Sequence, residues 1–398
     1  MDWESLYCPN RGCRYYGRPF LQGHLVKNGS SQGQKQARCK ACETPVSIRY
    51  GTAYLDLHAD PAIFEMAVRA LAEGNSIRAT ARIVQVDKDA VCTWLDRAAQ
   101  HCRLVMLYLW RDLHVMECQL DELWSFVHTK QHHLPLARLY DETYGDAWVR
   151  VAFAPVWRLV VAFVIGKRTQ QSADLLLDRV LHVTDTYIPF FTSDQLPEYQ
   201  RALLHAYGMW HQPQRQGVRG RYPKPLLMPP PGLLYAQVVK TRAHGRIVQV
   251  DCKVVFGDPT AIAEKLTSLP TSATMNTSFV ERHNLTQRQS NRRLTRRTNG
   301  FSKELSWFER QRWLSLAYYH LALPHRRLRQ PLTEPEPTRG SGSLRRWRPV
   351  TPAMAARLTD HVWTTTELWS YRVPSHFLDT LPALERLYPP FEEPHHGS

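Results

Sequence analysis

Apolar positions change their period along the chain. Between residues 60 and 105 they recur at helical spacing. PAIFEMAVRALAEG predicts an amphipathic helix with Asp60 as N-cap and Pro61 at the first helical position. Gly74-Asn75-Ser76 breaks it, and SIRATARIVQV predicts a short second helix. DKDAVCTWLDRAAQHCRLV predicts a third, capped at Asp87. From residue 113 the period drops toward two. LHVMECQLDELWSFVHT is a strongly β-prone run, and AWVRVAFAPV and WRLVVAFVIG predict a hairpin turning near Pro155. Then come a helix (QSADLLLDRVLHV), a short buried strand ending on Asp194 (YIPFFTSD) and a second helix with Pro197 in its first turn (LPEYQRALLHAYG).

Three strands, helix, strand, helix is the core order of an RNase H-like fold, in which an antiparallel hairpin joins a parallel strand through helical crossovers. Residues 209–234 are rich in Pro, Gly and Arg and predict a basic loop or a disordered insertion. YAQVVKTRAHGRIVQVDCKVVFGD predicts a hairpin about His244-Gly245, and AIAEKLTSL a helix. LSWFERQRWLSLAYYHLAL predicts an aromatic-rich helix packed in the core. Residues 324–350 predict a basic, Pro-rich linker, and MAARLTDHV and TTELWSY two short helices in a tail without assignable chemistry.

Charge and cysteines narrow the class. The 398 residues carry a formal net charge of +15, which suits a polyanion, nucleic acid above all. No apolar run is long enough for a bilayer and the first residues lack a signal-peptide core, so a cytoplasmic, nucleoid-associated protein without a membrane partner is expected. Of eight cysteines, four crowd the first 42 residues. Cys8 and Cys13, a long stretch, then Cys39-Lys-Ala-Cys42 is the layout of a zinc ribbon, with Zn²⁺ folding the module. The first pair is slightly looser than the commonest knuckle. A short helix, a tight turn and a helix carrying Lys88, Thr93, Trp94 and Arg97 is how a helix-turn-helix presents a recognition helix to a major groove. The expected architecture is a multidomain α/β chain: a zinc ribbon (1–55), a helix-turn-helix (56–110), an RNase H-like catalytic domain (111–325, with a basic loop and β-hairpin inserted at about 209–257), and a linker and tail (326–398).

Three carboxylates carry the candidate chemistry. Asp121 lies in an otherwise apolar strand run and is preferred over Glu122, since adjacent strand residues face opposite ways. Asp194 ends a strand that this fold sets beside the first; Ser193 competes with it as helix cap, and Asp185 precedes the strand. Glu281 opens a stretch, residues 276–313, in which Asn276, Thr277 and Ser278 offer N-cap chemistry and Arg282, Arg288, Arg292, Arg293, Arg296, Arg297 and Lys303 follow. At helical pitch Glu281, Asn284, Arg288 and Asn291 or Arg292 share a face. Three converging acids can hold two Mg²⁺ ions for in-line phosphodiester chemistry, while Asn284, Arg288, Arg292, Arg293, Arg296, Arg297 and Lys303 grip DNA. His283 would assist protonation, contact a phosphate, or serve structure.

LDELWSFV, FTSDQLPEYQRAL and, most specifically, NTSFVERHNLTQRQSNRRLTRRTNGFSK resemble the transposases of the bacterial insertion sequence 1 family, over roughly residues 5–325. That resemblance implies an RNase H-like DDE domain, Mg²⁺ dependence and binding to terminal inverted repeats. It matches Asp121, Asp194 and Glu281 to the triad, His283 and Asn284 to the residues after the acid, and Cys8, Cys13, Cys39 and Cys42 to zinc ligands. The implied activity is cutting of element ends and joining to target DNA, by a homodimer or higher oligomer on double-stranded DNA. The chain departs in its greater length, between Asp194 and Glu281 and after residue 330. A stand-alone nuclease or resolvase, or a catalytically dead regulator, are the alternatives.

Overall fold

A computed structural model describes residues 2–31, 33–215, 222–338, 340 and 342–393. The chain divides into two compact units. One gathers Met1–Leu109, Ser306–Met354 and Thr359–Ser398; the other holds Trp110–Leu305 and Ala355–Leu358.

The first unit begins with a small antiparallel sheet of β1 (Leu25–Ser31), β2 (Gln34–Cys39) and β3 (Pro45–Ser47). Leu6, Leu25, Ala37 and Val46 form its apolar nucleus together with three buried cysteines. Helices α1 (Pro61–Ala72), α2 (Ile77–Val84) and α3 (Lys88–Leu109) follow, as the periodicity predicts. Their starts are fixed by side-chain caps. Asp60 accepts from the Ala62 amide at 2.8 Å, Ser76 from Ala79 at 3.2 Å and Asp87 from Asp89 at 2.7 Å.

The second unit is built on a six-stranded mixed sheet. Its strands are β4 (Glu117–Val127), β5 (Gly145–Ala154), β6 (Leu159–Gly166), β7 (Phe190–Asp194), β10 (Tyr235–Ala243) and β11 (Arg246–Phe256), in spatial order β11-β10-β7-β4-β5-β6. β4 and β7 are parallel, as are β7 and β10; the other pairs are antiparallel. α4 (Gln170–Val183) and α5 (Pro197–Tyr207) connect the strands, and β8 (Met209–His211) and β9 (Leu226–Met228) make a short ribbon. Part of the expected basic loop, residues 216–221, lies outside the described residues. α6 (Pro259–Ser268) and α7 (Ser278–Ser290) complete the unit.

The hairpin expected as an insertion is part of the main sheet. β10 pairs with β7 through Tyr235↔Phe191 to Val238↔Asp194, and Tyr235 and Ala236 are fully buried. Its turn is legible in the residues: His244 (φ 50°) and Gly245 (φ 77°) both sit at positive φ, which a type I′ hairpin turn requires.

The chain then returns to the first unit. α8 (Leu305–Ala317) continues as a π turn to Ala322, its residues largely buried. It packs with the N-terminal helices: Gln311 donates to the Leu71 carbonyl at 2.9 Å, and Arg310 pairs with Asp96. The unit expected to run to residue 325 ends at Leu305. β12 (Gln330–Glu336) and β13 (Arg345–Arg348) form an antiparallel ribbon in the expected linker, and α9 (Pro352–Ala355), α10 (Thr365–Ser370), α11 (Ser375–Leu378) and α12 (Leu381–Leu384) follow. This tail belongs to the core of the first unit, because Trp369 is fully buried against Phe64 (ring centroids 6.5 Å apart) and His101 meets the Leu368 carbonyl at 3.0 Å. Among the described residues no helix is long and apolar enough to cross a membrane.

Candidate functional site

The four N-terminal cysteines come together. Cys8 Sγ lies 3.6 Å from Cys42 Sγ, Cys13 Sγ lies 3.7 Å from Cys39 Sγ, and all four sulfurs fall within 4.8 Å of one another. A tetrahedral zinc with Zn–S bonds of about 2.3 Å needs sulfur–sulfur edges of about 3.8 Å. The spacing therefore suits a structural zinc. The Thr44 hydroxyl, 3.2 Å from Cys42 Sγ, is the largest influence holding that thiol down at about 6, which favours its thiolate form.

In the second unit the parallel register sets two acids side by side. Gln119 pairs with Thr192 and Leu120 with Ser193, so the next rung brings Asp121 beside Asp194, on strands about 4.8 Å apart. Side chains alternate along a strand, so Gln119 and Asp121 share one face of β4, and Thr192 and Asp194 the same face of β7. α7 covers that face and brings Glu281. Its N-terminus is fastened by the residues two positions before each acid. Gln119 Oε1 accepts from the Val280 amide at 3.0 Å, and Thr192 Oγ1 donates to the Asn276 carbonyl at 3.0 Å.

The expected N-cap chemistry is rearranged. Asn276 Oδ1 accepts from the Ser278 amide at 3.1 Å, while the Thr277 hydroxyl makes no cap and donates to Glu281 at 2.6 Å. Lys240, from β10, forms an ion pair with Glu281 and donates to Thr277 Oγ1 at 3.1 Å. Asp121 is pushed up to about 7, chiefly by burial, with the negative charges of Asp194 and Glu281 adding to it. Burial also raises Asp194, against the pull of Arg168 and Lys240. Asp194 Oδ1 is buried and accepts no hydrogen bond from the described residues. Glu122 faces the other way, in a buried pair with Arg150 that Arg168 joins at 3.0 Å.

Several residues expected to grip DNA do something else. α7 ends at Ser290, so Asn291 and Arg292 leave its face. Asn284 is buried and donates to Asp121 Oδ2 at 2.7 Å, so it positions that carboxylate. Arg288 donates to the carbonyls of Trp124 at 3.2 Å and Leu294 at 2.6 Å, pinning the chain after α7 to β4. Arg293 donates to Ser302 at 2.8 Å, and its carbonyl accepts from Ser125. His283 is buried, stacked on Phe153 with ring centroids 4.8 Å apart, rather than turned to solvent. His283 and Asn284 point inward because α7 lies on the sheet by its Val280–His283–Asn284–Gln287 stripe. Arg292, Arg296, Arg297 and Lys303 are exposed.

In the first unit Lys88 and Thr93 are exposed on α3. Lys88 pairs with Asp89 at 2.8 Å, and the Thr93 hydroxyl donates to the Asp89 carbonyl at 3.0 Å. Trp94 is buried against Phe64, and Arg97 is half-buried, donating to the Leu55 carbonyl. The expected recognition surface is thus narrower than the sequence suggested. Sequence reasoning also passed over Gln119, Thr192 and Lys240. The first two carry a signal, being polar residues in buried strands at the spacing of two that shares a face with each acid. Lys240 lies two residues beyond Val238, the register partner of Asp194, where the buried part of β10 ends. No protein-family model matches the chain, and no curated protein matches it.

Proposed function

We propose that the chain is a DDE transposase of the insertion sequence 1 type, which cuts the ends of its element and joins them to target DNA. The observation that carries this reading is the meeting of Asp121, Asp194 and Glu281, from three separate elements, on one face of the sheet. The strand order supports an RNase H-like domain: a hairpin (β5, β6) beside β4, with parallel β7 and β10 on the other side.

The all-oxygen donor set, with the unsatisfied Asp194 Oδ1 and two carboxyls raised chiefly by burial and further by neighbouring negative charge, fits hard divalent cations. A pair of Mg²⁺ ions, when bound, would supply charge that activates the attacking oxygen and steadies the leaving one. Asn284 holds the Asp121 carboxylate in orientation. Thr277 and Lys240 fix the position of the Glu281 carboxylate, which would be the third ligand group. The exposed Arg292, Arg296, Arg297 and Lys303 would attract flanking phosphates without reading sequence. The zinc ribbon and helix-turn-helix would recognise the terminal repeats, and cutting two ends together implies a homodimer or larger assembly.

The test is cleavage of a duplex carrying the inverted repeats that should flank the reading frame. Asp194→Ala should lose Mg²⁺-dependent cutting and keep end binding. Full cutting by that variant would remove the triad. Cutting without joining, and without preference for the ends, would favour a plain nuclease.

A further inference from the structure

The expected linker holds a cationic surface that neither the three acids nor the cysteine module uses. β12 and β13 pair through Gln330↔Arg348, Pro331↔Trp347 and Glu336↔Arg345. All of β13 and all of β12 except Leu332 are exposed. Such a ribbon has no buried face to hold it, and an isolated two-stranded hairpin is marginal in water. Next to it is a cavity of about 450 Å³ lined by Arg326, Arg327, Arg329 and Trp347. The Arg329 guanidinium stacks on the Trp347 ring 4.1 Å from its centroid, and Trp347 remains 42% exposed. Arg345 and Arg348 are partly committed, to Glu336 and to the Asp360 carbonyl, while Arg346 is exposed beside them.

We propose that this surface is a nucleic-acid binding site that takes the sugar-phosphate backbone. The 23 residues from 326 to 348 hold seven arginines against two glutamates, and the excess of like charge favours a polyanion. Arginine forks match phosphate oxygens in pairs, which a generic solubilising surface would not need. An exposed indole already stacked with a cation offers a face to a base. A membrane surface fits less well, because no apolar helix face accompanies the charge. Binding at this surface does not depend on the proposed cutting chemistry.

The test uses the full chain carrying Asp194→Ala, so that no DNA is cut, and measures affinity for a mixed-sequence duplex and for a single strand across a salt series. Replacing Arg326, Arg327 and Arg329 together with Ala should lower the slope of log affinity against log salt by about 3 on a duplex, since each phosphate contact contributes about 0.9, and by about 2 on a single strand. The matching triple Lys variant should keep most of the slope, which separates lost charge from lost folding. Trp347→Ala should weaken single-strand binding roughly tenfold if bases stack there, and leave duplex binding alone if only the backbone is held. Either pattern supports the site and names its form. An unchanged slope on both substrates, in a triple Ala variant that melts like its parent, would overturn it.

Discussion

Asp121→Asn should make the metal-free protein more stable at alkaline pH. The Asp121 carboxyl is pushed up to about 7 from an ordinary value of 3.8, so the folded chain holds its proton more tightly than the unfolded chain does. Between those two values the native state binds more protons, and stability falls as pH rises. The loss begins near pH 4 and is complete above about pH 7. A shift of roughly three units corresponds to about 4 kcal/mol, of which on the order of 2–3 kcal/mol falls between pH 5 and pH 8. Asparagine keeps the shape and can keep the Asn284 contact, but it carries no charge, and removing that charge also relieves Asp194.

The assay is thermal unfolding with a chelator present, comparing parent and variant at pH 5 and pH 8. The variant's advantage should grow across that range by about 5–10 °C for a unit of roughly this size. Magnesium should then stabilise the parent more at pH 8 than at pH 5, because the same crowded carboxylates accept the cation, and should barely move the variant. An advantage that is absent at pH 8, or equal at both pH values, would refute the claim that burial and carboxylate crowding set the energetics of this face.

Lys240→Met should raise Mg²⁺ affinity about fivefold in calorimetry, because a half-exposed ion pair worth about 1 kcal/mol no longer competes for Glu281; weaker binding would show that Lys240 assists instead. Arg150→Met should cost about 3 kcal/mol in urea unfolding by leaving the buried Glu122 carboxylate to the more exposed Arg168 alone, and adding Glu122→Leu should recover much of it. Cys39→Ser should lower metal content from about one zinc per chain to none, and unchanged zinc would exclude the four-thiolate site. Gln119→Leu should cost about 1 kcal/mol by freeing the Val280 amide, and should weaken Mg²⁺ binding more than it lowers the melting temperature, because Glu281 loses its anchor.

What the sequence made legible was local. Continuous apolar runs marked β4 to β7, the His244-Gly245 pair marked a hairpin, and cysteine spacing marked the four-thiol cluster. Asp121 was separable from Glu122 because strand residues alternate. Long-range choices were not legible. Nothing local says that β10 pairs in parallel with β7, since that partner lies more than forty residues away. Nothing local assigns Trp369 to the core around Phe64. The basic run after Glu281 was the most misleading stretch. Its charges suggest one solvated face, yet which side of α7 meets the sheet is set by Val280 and Gln119. That choice turns Asn284 inward, while Arg288 and Arg293 hold backbone and side-chain oxygens.

The docking of Glu281 follows from the same alternation. Any strand residue two positions before an inward acid also points inward, so a polar residue there is positioned to meet whatever covers the acids. Gln119 and Thr192 occupy those positions, are neighbours in the β4–β7 register, and both bond the start of α7. The third acid is thereby indexed to the first two by the strands themselves. The length of chain between Asp194 and Glu281 does not enter into that indexing, which is why a long intervening segment, with β10 and β11 folded into the sheet, can be accommodated without moving Glu281 off the face it shares with Asp121 and Asp194.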